Sequence, residues 1–330
     1  MSKVHITLAT GDYDRTLPLQ LGTVQPEGIA LNHLTMPVED IFWRMCQHHE
    51  FDASELSCSA YMTLLGQGQC PFVAIPVFLS RMFRHSCVFV NTRAAIRRFE
   101  DLRGKAIGVP EYAMTAIVWL RGILHHEHGV APDQVTWVQG GLETSGRTEK
   151  VAFTYPPHVR VEPAPAGKTL NGMLAAGDIP ALFTARAPSA FVNGSPHVAR
   201  LFPNYKEIEQ AYYRKTGVFP IMHTVVIKRH LYERHPWVAR SLYRAFARAR
   251  QQAFDSLYDM SALRVMLPWL IAEVEAERAF FGDDFWPYGV EPNRVTLETL
   301  TLYAYEQGLT PHKLEVESLF AANTLDDTIV

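Results

Sequence analysis

Two strand-like runs constrain this chain more than any other feature. "FVAIPVFLSRMFRHSCVFV" (72–90) leads into a stretch that reads as an α/β unit of its own, and "GVFPIMHTVVI" (217–227) leads out of it. A chain that leaves one α/β unit, builds a second and returns must assemble its first domain from separated pieces. The expected division is 1–95 plus 220–330 around a second domain of 96–219. The smaller signals agree. "KVHITLAT", "GIALNHLTM", "ELSCSAY" and "FVAIPVFLS" read as strands, with a helix at "VEDIFWRMCQHHE" between them. In the second unit "KAIGV" reads as a strand, followed by a helix from about Ala113 that Gly129 ends; residues 143–168, rich in Pro, Gly and charge, read as an irregular excursion. Pro236 opens a mostly helical C-terminal part. The expected fold is α/β and two-lobed, and such folds bind ligands in the cleft between lobes, at strand ends and helix starts.

Composition excludes some partners. The net charge is -3 with both signs interspersed, which gives no field for a polyanion and argues against nucleic acid. No apolar run approaches the ~20 residues that cross a bilayer. The N-terminus shows no secretory pattern, and Cys46, Cys58, Cys70 and Cys87 form no CxxC pair, so a cytoplasmic protein with a small-molecule ligand is expected. HExxH, Walker and GxSxG motifs are absent, and "GQGQ" (66–69) is not a dinucleotide fingerprint. His125–His128, "HHEH", reads as a helix end whose imidazoles suit the dipole rather than as a metal site.

Several residues are candidates for the cleft. If 79–91 is one strand, Arg81, Phe83 and His85 share a face. They form either a clamp for a small aromatic acid or an interlobe salt bridge with hinge packing. His223 is the polar residue on an otherwise apolar strand face, either a core histidine or a proton carrier on the returning strand. "TGDYDRT" offers Asp12, Tyr13, Asp14 and Arg15 after the first strand. "PEYAMTA" places Tyr112 and Thr115 at a helix start able to receive a carboxylate, and "TARAPS" supplies Arg186.

Together the segments "GDYDRT", "SRMFRHSCVFVN", "GVPEYAMTA", "TARAPS", "YRKTGVFPIMHTVVI", "HPWVARSLYRAF" and "DDFWPYGVEPNR" resemble the 4,5-dihydroxyphthalate decarboxylase family over most of the chain. The resemblance implies a type II periplasmic binding protein-like fold and non-oxidative loss of carbon dioxide from 4,5-dihydroxyphthalate, giving 3,4-dihydroxybenzoate. The alternatives are a related hydroxybenzoic acid as substrate, or a solute-binding protein for an aromatic carboxylate. A hydroxyl para to each carboxylate makes the ring its own electron sink, so no cofactor and no protein-held metal are expected, although a divalent ion chelated by the substrate would be compatible. The roles implied are proton transfer by His223 or His85, with Asp12, Asp14 or Asp284 as further bases. Carboxylate binding falls to Arg81 with Arg15 or Arg186, within a pocket lined by Tyr13, Phe83, Tyr61, Tyr112 and Thr115. A homo-oligomer is compatible with all of this. Gly11 stands where the family is expected to carry a bulky aromatic before DYDR, and Cys58 with Ala60 replaces a more serine-rich turn.

Overall fold

The computed structural model describes residues 3–68 and 70–326, so Gln69 at the end of "GQGQ" lies outside the described residues. The strands are β1 (Val4–Thr10), β2 (Ile29–Thr35), β3 (Ala53–Ser57), β4 (Phe72–Arg81), β5 (Val88–Asn91), β6 (Ala106–Val109), β7 (Thr136–Gln139), β8 (Arg160–Pro163), β9 (Ala181–Phe183), β10 (Val198–Arg200) and β11 (Ile221–Lys228). They form two sheets, ordered β2-β1-β3-β11-β4 and β10-β5-β9-β6-β7-β8. In the first sheet β1 runs parallel to β2 and β3, whereas β11 is antiparallel to both its neighbours, β3 and β4. This single reversed strand is the return from the second lobe, wedged between strands made before the chain left. The crossing out falls within residues 82–87, because β5 already pairs with β9 and β10; the second sheet therefore begins ahead of residue 95.

Burial explains why β4 reads as an almost unbroken apolar run: nine of its ten residues are buried. It carries Pro76 without penalty because it is the edge strand, where one missing N–H breaks no second ladder. The ladder with β11 is irregular there. His223 pairs with Ser80, yet Val225 pairs with Ile75, so β4 bulges between the two. Bulges re-aim neighbouring side chains, and this one adjoins His223.

"ELSCSAY" does not remain extended. The strand stops at Ser57, whose hydroxyl accepts from Ala60 N–H and caps a helix over Cys58–Gly66. The second lobe's main helix, Thr115–His128, ends at Gly129 with φ +65° as its sequence implies. That helix packs against the Arg294–Glu306 helix so closely that a Cβ on Gly122 would lie 2.0 Å from the Tyr303 ring. Trp119 Nε1 also donates to Ile221 O at 2.8 Å, tying the second lobe to the returning strand. The C-terminal part is helical, with Trp237–Leu257, Leu270–Phe281 and Arg294–Glu306.

Candidate active site

Adjacent strands β3 and β11 place Glu55 and His223 side by side. Glu55 is fully buried and His223 Nδ1 lies 2.6 Å from its Oε1. The same carboxylate accepts from Gly11 N–H at 2.8 Å and from the Tyr13 hydroxyl at 2.8 Å. Burial alone would raise the pKa of Glu55. The hydrogen bond and charge of His223, with the Gly11 amide and Tyr13, hold it instead below the usual carboxylate range. Tyr13 moves the opposite way: burial and the Glu55 charge raise its phenol, so it stays a neutral donor. An ionised Glu55 accepts only, so Nδ1 of His223 carries a hydrogen and Nε2 is left for a ligand. Phe42 meets the imidazole edge-on at 4.8 Å and fixes its plane.

His223 opens on the interlobe cleft. From the first lobe the walls include Glu39, Phe42, Ser57, Met222 and His223; from the second they include Glu111, Thr115 and Glu149, with Arg84 at the crossing. Arg84 is 6% exposed, and among the described residues no carboxylate lies within ion-pair distance of it. Among the described residues its guanidinium donates only to sulfur: Met222 Sδ at 3.1 Å, Met82 Sδ at 3.6 Å and Cys87 Sγ at 3.7 Å. Glu209, the nearby acid, accepts from Ser86 N–H instead. A buried forked cation without an anion is a seat for an incoming carboxylate. Across the lobes, Thr115 Oγ1 meets Ser57 Oγ at 2.8 Å and Ser59 Oγ at 2.9 Å, a hydroxyl cluster suited to phenolic oxygens.

The excursion expected over 143–168 is irregular only as far as residue 159, where β8 (Arg160–Pro163) follows, and its residues 140–159 form a strap from the second lobe over the cleft. Gln47 and Gln67 donate to Lys150 O and Ala152 O at 2.9 and 2.7 Å, and Arg147 and Lys150 bridge Glu39 of one lobe to Glu111 of the other. These pairs hold Glu39 below its usual pKa despite its burial. Arg186 is exposed on the outer vestibule, a depression sharing Glu39, Glu111 and Lys150 with the cleft.

Of the residues singled out in the sequence, His223 and Thr115 line the cleft, Tyr13 stands behind Glu55, and Arg186 sits at the outer mouth. The proposed clamp does not form. The strand ends at Arg81, and residues 85–87 make a 3-10 turn, so Arg81, Phe83 and His85 do not alternate along one face. Arg81 is buried away from the cleft, bonded to Phe219 O at 2.9 Å and Pro287 O at 3.3 Å and lying over the Phe219 ring; burial lowers its pKa to about 9. Phe83 packs among Tyr213, Phe219 and Phe281. Arg15 donates to Leu79 O at 2.7 Å between the Tyr13 and Trp286 rings, and pairs with Asp14. Tyr61 is buried, donating to Leu319 O, and Tyr112 is buried with its ring under Arg121. Asp12 is exposed on a separate surface depression with Gly11 and Tyr13, and Asp284 pairs with Arg250 at the surface. At Gly11 a Cβ would meet the Tyr13 ring at 2.8 Å, so the donor to Glu55 has no room for a larger residue.

His85 is enclosed by Phe99, Phe202 and Tyr212, with Nδ1 buried and unpaired. Burial first, then the neighbouring His128, lower its pKa from 6.5 to about 4. The unfolded chain therefore binds more protons between those values, and stability falls as pH drops through that window. His85→Leu is expected to leave turnover unchanged and to remove roughly 2 kcal/mol of acid destabilisation near pH 5, read by urea unfolding at about pH 5 and 7. A large loss of kcat would return His85 to the chemistry.

Glu55, Arg84, Ser57, Ser59 and Glu149 were not found from the sequence. Glu55 did carry a signal: an acid in the middle of "ASELS", every residue of which is buried. Among the described residues one group has metal-ligand spacing, His125, His126 and Glu306, with ligand atoms within 4.8 Å. It lies at the far end of the helix that Thr115 begins, about 15 Å from the cleft. In the cleft, Glu39 and Glu111 are taken by Arg147 and Lys150.

No protein-family model matches the chain. A 4,5-dihydroxyphthalate decarboxylase of Comamonas testosteroni is 38% identical over 326 residues, 99% of each chain. A 4,5-dihydroxyphthalate decarboxylase of Pseudomonas putida is 42% identical over 214 residues, 65% of this chain and 83% of that one. Among solved structures, the periplasmic aliphatic sulphonate-binding protein of Escherichia coli superposes with a TM-score of 0.55 at 13% identity, covering 97% of this chain and 92% of that one. A periplasmic sulfonate-binding protein of Methylobacillus flagellatus gives 0.56 at 12% identity, with 97% and 92% covered. These two speak for the fold alone, a type II periplasmic binding protein-like architecture.

Proposed function

Because the chain belongs to the 4,5-dihydroxyphthalate decarboxylase family, we propose that it converts 4,5-dihydroxyphthalate to 3,4-dihydroxybenzoate and carbon dioxide in the interlobe cleft. The observation that carries this reading is a Glu55-held imidazole and an arginine without a carboxylate, opening on one cavity. The reaction needs those two capacities. Arg84 receives the carboxylate that is retained, and the hydroxyls of Ser57 and Thr115 meet the phenolic oxygens. Nε2 of His223 takes the proton of the hydroxyl para to the departing carboxylate, and Glu55 stabilises the imidazolium. The electron density gained at the carboxylate-bearing carbon makes that carbon basic. Once it is protonated, carbon dioxide leaves and aromaticity returns. The overall balance is one aromatic carboxylate plus one proton to arene plus carbon dioxide. The cysteines are free, three of them buried, which supports a reducing compartment such as the cytoplasm.

The test is to mix the purified protein with 4,5-dihydroxyphthalate and follow both products. Equal amounts of carbon dioxide and 3,4-dihydroxybenzoate are expected. Tight binding without turnover would favour a solute receptor, a use to which this fold is also put, and turnover confined to another hydroxylated benzoate would move the substrate but keep the chemistry.

A further inference from the structure

With His223 acting as a base, the proton delivered to ring carbon still needs a source, and His85 is sealed away from the cleft. We propose that Glu149, on the strap, is the acid that protonates the carboxylate-bearing carbon. This rests on the decarboxylase reading above.

Position comes first. Glu149 lines the same cleft as His223 and Arg84. Its neighbours Arg147, Lys150 and Ala152 anchor the strap to both lobes, so the side chain is held there rather than swinging in solvent. Orientation follows. Oε1 accepts the amide of Tyr112 at 2.6 Å, and the Ala113 amide is shared between Oε1 at 3.3 Å and Oε2 at 3.2 Å. The short Tyr112 bond favours Oε1 as the carbonyl of a neutral acid, leaving Oε2, with only a share of one amide, to carry the hydrogen.

The surroundings then decide the protonation state. Burial and the negative charge of Glu111 raise Glu149 to about 7, against the two amides and Arg121, which act the other way. Lys150 and Arg147, the nearest strap cations, are engaged by Glu39 and Glu111, and the neighbouring phenol of Tyr155 is itself raised by burial and Glu149 to about 12. The other facing groups are Arg84 and His223 across the cavity. Glu39 and Glu111 are ion-paired and so compete poorly as donors.

In the step, the Oε2–H bond breaks and a C–H bond forms at the carboxylate-bearing carbon; the C–CO2 bond then breaks and its electron pair returns to the ring. The Glu149 carboxylate left behind faces amides at the start of the 14-residue Thr115–His128 helix, whose positive end stabilises it until water returns the proton. His223 gives its proton back to the phenolate, so one proton is consumed per turnover.

The decisive variant is Glu149→Gln, which keeps an oxygen for the amides and removes the proton. It is expected to lower kcat by about 10²–10⁴-fold, with KM and 3,4-dihydroxybenzoate affinity little changed. The wild-type kcat should fall as pH rises through about 7, because the acid form is the active one, and the residual activity of the variant should lack that limb. Glu149→Asp should recover part of the rate together with a pH limb, and it decides the matter if the Gln variant does not fold. Three results overturn the proposal: unchanged kcat, a lower KM with kcat retained (the carboxylate being only a placeholder on the amides), or a reduced kcat that keeps the alkaline limb. A wild-type protein that releases no carbon dioxide would instead sink the decarboxylase reading.

Discussion

Replacing His223 by Asn is expected to lower kcat by about 10²–10⁴-fold while KM changes little. Asn retains a hydrogen-bonding group toward Glu55, so the carboxylate is not stranded, but it cannot take up a proton near neutral pH. Glu55 is fully buried and touches Gly11, Tyr13 and His223, so it acts through the imidazole rather than on the substrate. Steady-state kinetics at one pH, with circular dichroism to confirm the fold, is sufficient. Near-native kcat in the variant would show that the phenolic proton leaves by another route.

Arg84→Gln is expected to act on the other parameter, raising KM by about 10–100-fold, the range lost when a charge-assisted hydrogen bond to a carboxylate is removed, with kcat within a few-fold. The melting temperature should change little, because the native guanidinium is buried against sulfur, and Glu209, which feels its charge, keeps the Ser86 amide when it goes. A fall in melting temperature with KM unchanged would make Arg84 a structural residue. Single-carboxylate analogues sharpen the reading, since loss of Arg84 should penalise the dicarboxylate more than an analogue lacking the retained carboxylate.

The separation between legible and illegible parts of this molecule follows interaction range. The two crossing runs, the succession of strands and helices, the Gly129 stop and the polar residue on the returning strand are local patterns, and each is present in the fold. Where β4 stops is not local. Alternation carried past Arg81 puts His85 on the ligand side, but the chain turns at 82–87 to reach the second sheet, and that turn brings Arg84 to the cavity while burying Arg81 and His85 elsewhere. A run of basic residues at a crossing thus announces a cation at the cleft without saying which one. Glu55 was visible as an acid in an apolar strand, yet its worth depends on β11 lying beside it after a long excursion. Glu149 had no pattern at all; the ion pairs of its neighbour Arg147 to both lobes and the amides of Tyr112 and Ala113 place it.

The reversed strand also sets an order of birth. During synthesis β11 emerges about 140 residues after the end of β4, although the two are neighbours in one sheet. At ~5–20 residues per second the interval is on the order of 10 s, and through it β3 and β4 present unsatisfied backbone edges toward a missing partner. The other sheet, closed by residue 200, has every strand it needs before then. A ribosome-bound chain is therefore half finished and half adhesive, with Glu55 already in place but no imidazole to hold. Any product cut short of residue 221 is both inert and a ready substrate for chaperones.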